Sequence, residues 1–334
     1  MNINQWIADR LEQPTRVALP IMTHPGIELS GKKVIDAVRN GCIQAEAIRL
    51  LSERYPSVAA TAMMDLTVEA EAFGCCIDFQ ENEMPHIHGR LLSDAEAIRT
   101  LPVPDLTAGR LQEYLLANSL AVEKIHGKPV FGGMIGPFSL AGRLYNLGEL
   151  MMACYLDPDS VILLLNKCTD FLMSYAQEMK QIGCGGVIMA EPAAGLLSND
   201  DCLVFSSSFV ARIVKAVQDE TFLVILHNCG NTGHCTDAML KTGANAFHFG
   251  NAVNMVDTLA ACPSNVLVMG NIDPVGVMQQ GTPDYVKAVT LDLLNATSGY
   301  RNYILSTGCD IPPHVPEANI RAFYEALDCF NGLR

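Results

Sequence analysis

Short apolar runs and longer amphipathic stretches alternate along almost the whole chain. Eight runs rich in β-branched or other apolar residues recur, at 16–22, 58–64, 129–135, 186–190, 222–226, 244–249, 266–270 and 302–306. Each gives way to a polar or Gly/Pro cluster, the bounded pattern of a buried strand. Between them the period changes to that of a helix. In 158–182, Val161, Leu164, Leu165, Cys168, Leu172, Tyr175 and Met179 fall on one face. Asp157 before Pro158 supplies a cap and a first-turn proline, and Thr282 before Pro283 does the same for a helix carrying Val286, Val289, Leu293 and Leu294. Gly243 reads as the stop of a helix around 237–242.

Eight strands, mostly alternating with helices, predict an α/β fold and, within that class, a closed parallel (β/α)8 TIM barrel. An open doubly wound sheet is the alternative. Residues of about 1–15 read as an N-terminal helical extension. The stretch 66–127 is longer than one crossover requires and reads as a helical insertion after the second strand, with helices near 66–74, 93–100 and 107–125 around a loop. No linker or repeat divides the chain, so residues 1–334 are expected to form a single barrel domain.

Composition narrows the function. Of 334 residues, 49% are hydrophobic and 17% charged, as in globular proteins. The formal charge of −14, without any Lys/Arg cluster, speaks against nucleic acid as a partner. No apolar run approaches the roughly 20 residues that cross a bilayer. The opening MNINQWIADRLEQPTR lacks the apolar centre of a signal peptide. A cytoplasmic location and no membrane partner are therefore expected. Twelve cysteines without small-domain spacing fit reduced thiols, most of them filling core and a few free to bind a ligand. No glycine-rich nucleotide signature follows any of the strands.

In a barrel of this kind the active site forms at the C-terminal ends of the strands. His24, Asp65, Glu191, His227, Cys229, Asn271, Asp273 and Cys309 all fall there. His227-x-Cys229 carries the sharpest signal. Residues i and i+2 project from the same side of an extended chain, so an imidazole and a thiolate can converge on one ion. Cys309, at the end of the last strand, could join them if the sheet closes. Three N/S donors with a free fourth position describe a catalytic zinc site. The spacing alone fits equally well a hydrogen-bonded strand-end histidine with both cysteines as core filler. Asp65 reads either as a catalytic carboxylate or as a cap for the helix that follows it. Glu191, before a proline, suits a placed carboxylate. His234-Cys235 and Cys75-Cys76 read as packing, and His86 and His88 as solvated.

Four segments make the sequence less anonymous: GPFSLAGRL (136–144), EPAAGLLS (191–198), GNIDPVGVM (270–278) and STGCDIPPHVPEANI (306–320). They resemble the uroporphyrinogen decarboxylase superfamily across most of the chain, which implies a (β/α)8 barrel. The true decarboxylases carry a Met-Arg-Gln-Ala-Gly-Arg stretch after the first strand, whose arginines hold the substrate's carboxylates. The matching stretch here is Met22-Thr23-His24-Pro25-Gly26-Ile27, without either arginine. Bidentate arginine pairing is hard to replace, so tetrapyrrole decarboxylation is not expected. The chain instead resembles the methylcobamide:coenzyme M methyltransferase branch through His227-x-Cys229, Cys309 and the run DLTVEAEAFG (65–74). That resemblance implies zinc on His227, Cys229 and Cys309, with catalytic roles for Asp65 and Glu191 and substrate contacts for His24, Asn271 and Asp273. It also implies a small thiol acceptor such as coenzyme M. The methyl donor would be free methylcobalamin or a methylated corrinoid protein. No cobalamin-binding Asp-x-His-x-x-Gly motif occurs, so any corrinoid must come from outside. The alternatives are a demethylating methyltransferase acting on ethers or amines, residual decarboxylase activity, or a non-enzymatic zinc-stabilised barrel.

Overall fold

The computed structural model describes residues 1–332. Seven parallel strands form one curled sheet in chain order: Ala60–Thr61, Val130–Ile135, Gly186–Ala190, Leu223–Asn228, Ala246–Phe249, Leu267–Ile272 and Tyr303–Thr307. The order never reverses, as it would in a doubly wound sheet. The expected first strand, 16–22, contracts to one parallel bridge between Ala18 and Leu305. Its backbone still bonds on both sides. Leu19 N donates to Leu305 O at 2.9 Å and Val58 N donates to Ala18 O at 3.0 Å, so this segment closes the ring. Pro20, with no N–H to give, stops the ladder from extending.

Alternation along the strands sorts two cores. Phe131, Ile188, Ile225, Met269 and Ile304 pack inside the barrel, whereas Val187, Met189, Val224, Leu226, Phe247 and Val268 belong to the cluster shared with the helices. The N-terminal helix Ile3–Glu12, capped by the Asn2 side chain, drives Ile3, Trp6 and Ile7 into the inner cluster. Trp6 meets Phe131 edge-on at 5.6 Å between ring centres. The long helix Pro158–Ile182 buries the seven residues read from its periodicity and ends at Gly183, whose φ of +99° requires glycine.

In the insertion, helices Val68–Ala72, Ala95–Thr100 and Leu111–Lys124 fall where expected. The intervening loop is in fact a small antiparallel hairpin that pairs Cys76–Asp78 with His86–His88. Three-residue strands are too short to show alternation, which is why the pattern hid them. Only Ile77 and Ile87 face each other in apolar contact register, while His86 and His88 stay exposed beside Asp78. Among the described residues no helix is long and apolar enough to cross a membrane. All twelve cysteines are unpaired and seven are buried.

Candidate metal centre

The strand Leu223–Asn228 alternates inward at Leu223 and Ile225, and the next inward position is His227. Cys229 follows two residues later, just past the strand end. Cys309 lies just past the end of Tyr303–Thr307. One ligand atom from each of His227, Cys229 and Cys309 lies within 4.8 Å of the other two. Cys309 Sγ is 3.7 Å from His227 Nε2. The close approach depends on Gly250: a Cβ there would sit 2.7 Å from Cys229 Cα. His227 is buried and the two cysteines are half-buried, so the donors line the top of the inner core and remain reachable.

The neighbouring Cys309 thiol holds Cys229 down to about 7, while Cys229 and burial push Cys309 up. One of the pair is thus already close to the thiolate form that ligates metal. On the other side of His227, Nδ1 lies 2.8 Å from His248 Nδ1, and His248 Nε2 lies 2.8 Å from Ser306 Oγ. One imidazole and two thiols converge above an apolar plug, with His248 behind the imidazole. They fit a soft divalent cation with mixed N/S preference, which is what zinc selects.

The other expected site residues lie elsewhere in the same mouth. Asp65 is nearly buried, and its carboxylate accepts from Thr67 N (2.9 Å), Thr67 Oγ1 (2.7 Å), Arg110 Nη1 (2.7 Å) and Tyr114 OH (2.7 Å). Glu191 accepts from Phe138 N, Ser139 N and Ser206 Oγ at 2.7–2.9 Å. It thereby serves as the cap of helix Pro137–Tyr145, whose own N-cap, Gly136, has no side chain. Burial pushes its carboxyl up while these bonds oppose the rise. A Cβ on Gly136 would collide with that carboxylate. Gly136→Ala is therefore expected to cost about 1–3 kcal/mol, read as a lower midpoint in urea with an unchanged slope. An unchanged midpoint would show that Glu191 is free to move.

His24 opens the helix Thr23–Leu29 together with Thr23, whose N–H is held by Asp310 at 2.7 Å. Burial first, and then His314, lower the His24 pKa to about 4, so the ring is neutral at physiological pH. Asn271 Nδ2 donates to Gly250 O (3.0 Å) and Val253 O (2.9 Å), fixing the loop beside Cys229. Asp273 caps the turn of helix that follows it, accepting from Val275 N and Gly276 N. His234 and Cys235 both contact Leu197 O, as packing residues would. Three polar neighbours of the donors escaped the sequence reading: His248, Ser306 and Asp310. A signal existed for the first. His248 is an isolated polar residue two positions after inward-facing Ala246, in register with His227.

A cavity of about 400 Å³ opens among Leu66, Ile135, Ser139, Arg143, Pro192 and Leu196. The three donors do not line it. The turn carrying Pro192, which lines the cavity, packs so tightly on Gly230 that a Cβ on Gly230 would strike Pro192 O.

A model of the uroporphyrinogen decarboxylase (URO-D) family matches residues 14–330. The chain belongs to that family. Within the URO-D family it is similar to the methylcobamide:CoM methyltransferase MtbA of Methanosarcina mazei, at 32% identity over 290 residues, 84% of each chain. It is also similar to the MtbA of Methanosarcina acetivorans, at 30% identity and the same coverage. Among solved structures, a methyltransferase from Methanosarcina mazei superposes with a TM-score of 0.88 at 24% identity, covering 99% of both chains. That superposition bears out the barrel expected from strand count, with its N-terminal helix and insertion. Similarity to the two methyltransferases over most of both chains supports an enzyme of corrinoid-dependent methyl transfer.

Proposed function

We propose that this protein moves a methyl group from a methylated corrinoid to a small thiol, with zinc held by His227, Cys229 and Cys309. The convergence of those three donors at the barrel mouth carries the reading. Bound there, Zn²⁺ would lower the pKa of an incoming thiol and supply it as a thiolate at neutral pH. The chain's own part is to hold the site. Two thiolates and one neutral imidazole give a soft, charge-matched donor set that leaves one position for the substrate sulfur. The inner core below the donors excludes water from the far side. Thr23 and Ile27 stand where the decarboxylase stretch carries its two arginines, and His24 between them is neutral, which removes the clamp for a polycarboxylate.

In the reaction the thiolate sulfur bonds the methyl carbon as the cobalt–carbon bond breaks, its electron pair staying on cobalt. The corrinoid, free methylcobalamin or a methylated corrinoid protein, arrives as substrate. Coenzyme M is the acceptor that the relatives' names supply. Asp65 and Glu191 act by positioning the strand ends and the helix at 137–145, and Asn271 and Asp273 by holding the loops around the mouth. A cytoplasmic location keeps the twelve unpaired cysteines reduced.

The test is loss of the methyl–cobalt absorbance of methylcobalamin with a panel of thiols, 2-mercaptoethanesulfonate among them. The loss is expected to depend on thiol, to stop after chelation and to return with Zn²⁺. Folded, zinc-loaded protein that shows no thiol dependence, but methylates Co(I) corrinoid from methoxy-arenes, would overturn this direction of transfer.

A further inference from the structure

Four elements of the barrel are tied together beneath the metal donors by one chain of hydrogen bonds, and its direction can be read. Leu19 O is a carbonyl and can only accept, so Ser306 Oγ, 2.7 Å away, donates its single proton there. The Ser306 oxygen is then left as an acceptor. His248 Nε2, at 2.8 Å, must therefore carry a proton and donate to it. The 2.8 Å contact between the two rings holds a single proton, and burial with no carboxylate bonded to either ring disfavours a second proton on His248. With Nε2 protonated, His248 Nδ1 is bare. The 2.8 Å contact to His227 Nδ1 then requires the proton on His227. His227 Nε2 is consequently a bare lone pair, and it is the nitrogen that faces Cys309.

We propose that His248 is a positioning residue that selects the metal-binding tautomer of His227, with Ser306 and the Leu19 carbonyl setting the direction of the relay. His248 touches neither substrate nor metal donors other than His227. The strand register supports the assignment, because His227 and His248 are directly paired on adjacent parallel strands. The far end of the relay is Leu19, in the segment that closes the barrel, so closure and ligand orientation are coupled. A ligating histidine whose other nitrogen is fixed in this way is more basic and needs no reorientation on binding.

The inference rests on the metal reading above, but its first readout uses metal-free protein. Long-range ¹H–¹⁵N spectra of the histidines are expected to show His227 protonated at Nδ1 and bare at Nε2, and His248 the reverse. Zinc affinity is then measured by competition with a chromophoric chelator. His248→Leu, which offers no acceptor, is expected to weaken zinc binding about 10–100-fold. His248→Gln, whose amide oxygen can take the same proton, is expected to recover at least half of that loss on a logarithmic scale. Ser306→Ala is expected to mix the His227 tautomers in the spectra. A proton on His227 Nε2 in the native protein, or native affinity in folded His248→Leu, overturns the relay. The assigned tautomers without any zinc affinity would instead overturn the metal reading alone. If His248→Leu does not fold, the nitrogen shifts of the native protein decide.

Discussion

Replacing Cys309 by alanine is expected to take the protein from about one zinc per chain to none while leaving the barrel folded. Cys309 is half-buried at the end of the strand Tyr303–Thr307, so truncating its thiol removes little packed surface. Its chemical contribution is much larger. Without it, two donors remain from one turn of chain, and the 3.7 Å partner of His227 Nε2 is gone. Cys229 also loses the thiol that holds it near 7, returns toward the ordinary cysteine range and binds metal less readily at neutral pH. Loss of an outer hydrogen-bond partner of a ligand costs about 10–100-fold in metal affinity, and loss of a ligand should exceed that. Thiol-dependent demethylation of methylcobalamin should fall with the metal. Cys235→Ala serves as the matched control, since that buried cysteine contacts Leu197 O and not the cluster. Metal analysis after purification without chelator, with circular dichroism for the fold, reads the result. A Cys309→Ala protein that still holds one zinc and still responds to thiols would remove Cys309 from the site.

How much of this was legible in the sequence follows from the range of each signal. Buried strands and the long helix Pro158–Ile182 are local patterns, repeated at every turn or every second residue, and they were readable as such. His227 and Cys229 share a face because of a two-residue period, and that too is local. Cys309 required the sheet to close, which the strand count implied and the Ala18–Leu305 bridge accomplishes. What the pattern could not reach were contacts whose partners lie far apart and obey no period. Asp65 and Arg110 are one case, Glu191 and the N–H groups at Phe138 and Ser139 another. A carboxylate at a strand end looks the same in sequence whether it meets substrate or a buried guanidinium. His248 lies between: its register with His227 is a local consequence of strand pairing, and only the strand boundaries hid it.

Arg110→Ala is the substitution with the largest expected effect on stability, and it decides how Asp65 should be understood. The guanidinium is almost wholly buried and every edge is used: Nη1 donates to Asp65 Oδ2 (2.7 Å) and Val38 O (3.1 Å), Nη2 to Thr67 Oγ1 (2.9 Å), and Nε to Glu71 Oε2 (2.5 Å). It also stacks at 4.8 Å over Phe79. The Asp65 side chain is 1% exposed. Removing the arginine therefore strands a carboxylate with no water to solvate it, a loss of about 3–5 kcal/mol. With an unfolding entropy of roughly 2.1 cal/mol/K per residue, that corresponds to a Tm lower by about 4–7 °C. Tyr114→Phe, which deletes one hydrogen bond to the same oxygen, should cost about 1–3 kcal/mol. Lysine at 110 keeps the charge without the fork and should fall between wild type and alanine. Because none of His227, Cys229 and Cys309 bonds Asp65, Arg110 or Tyr114, zinc content should survive in all three below their melting temperatures. Asp65→Asn then completes the comparison. If the carboxylate is there to hold the strand end, Tm falls in Asp65→Asn and Arg110→Ala, and the double variant loses less than the sum. A normal Tm with collapsed turnover in Asp65→Asn would return Asp65 to the chemistry and leave Arg110 as the group that keeps it charged.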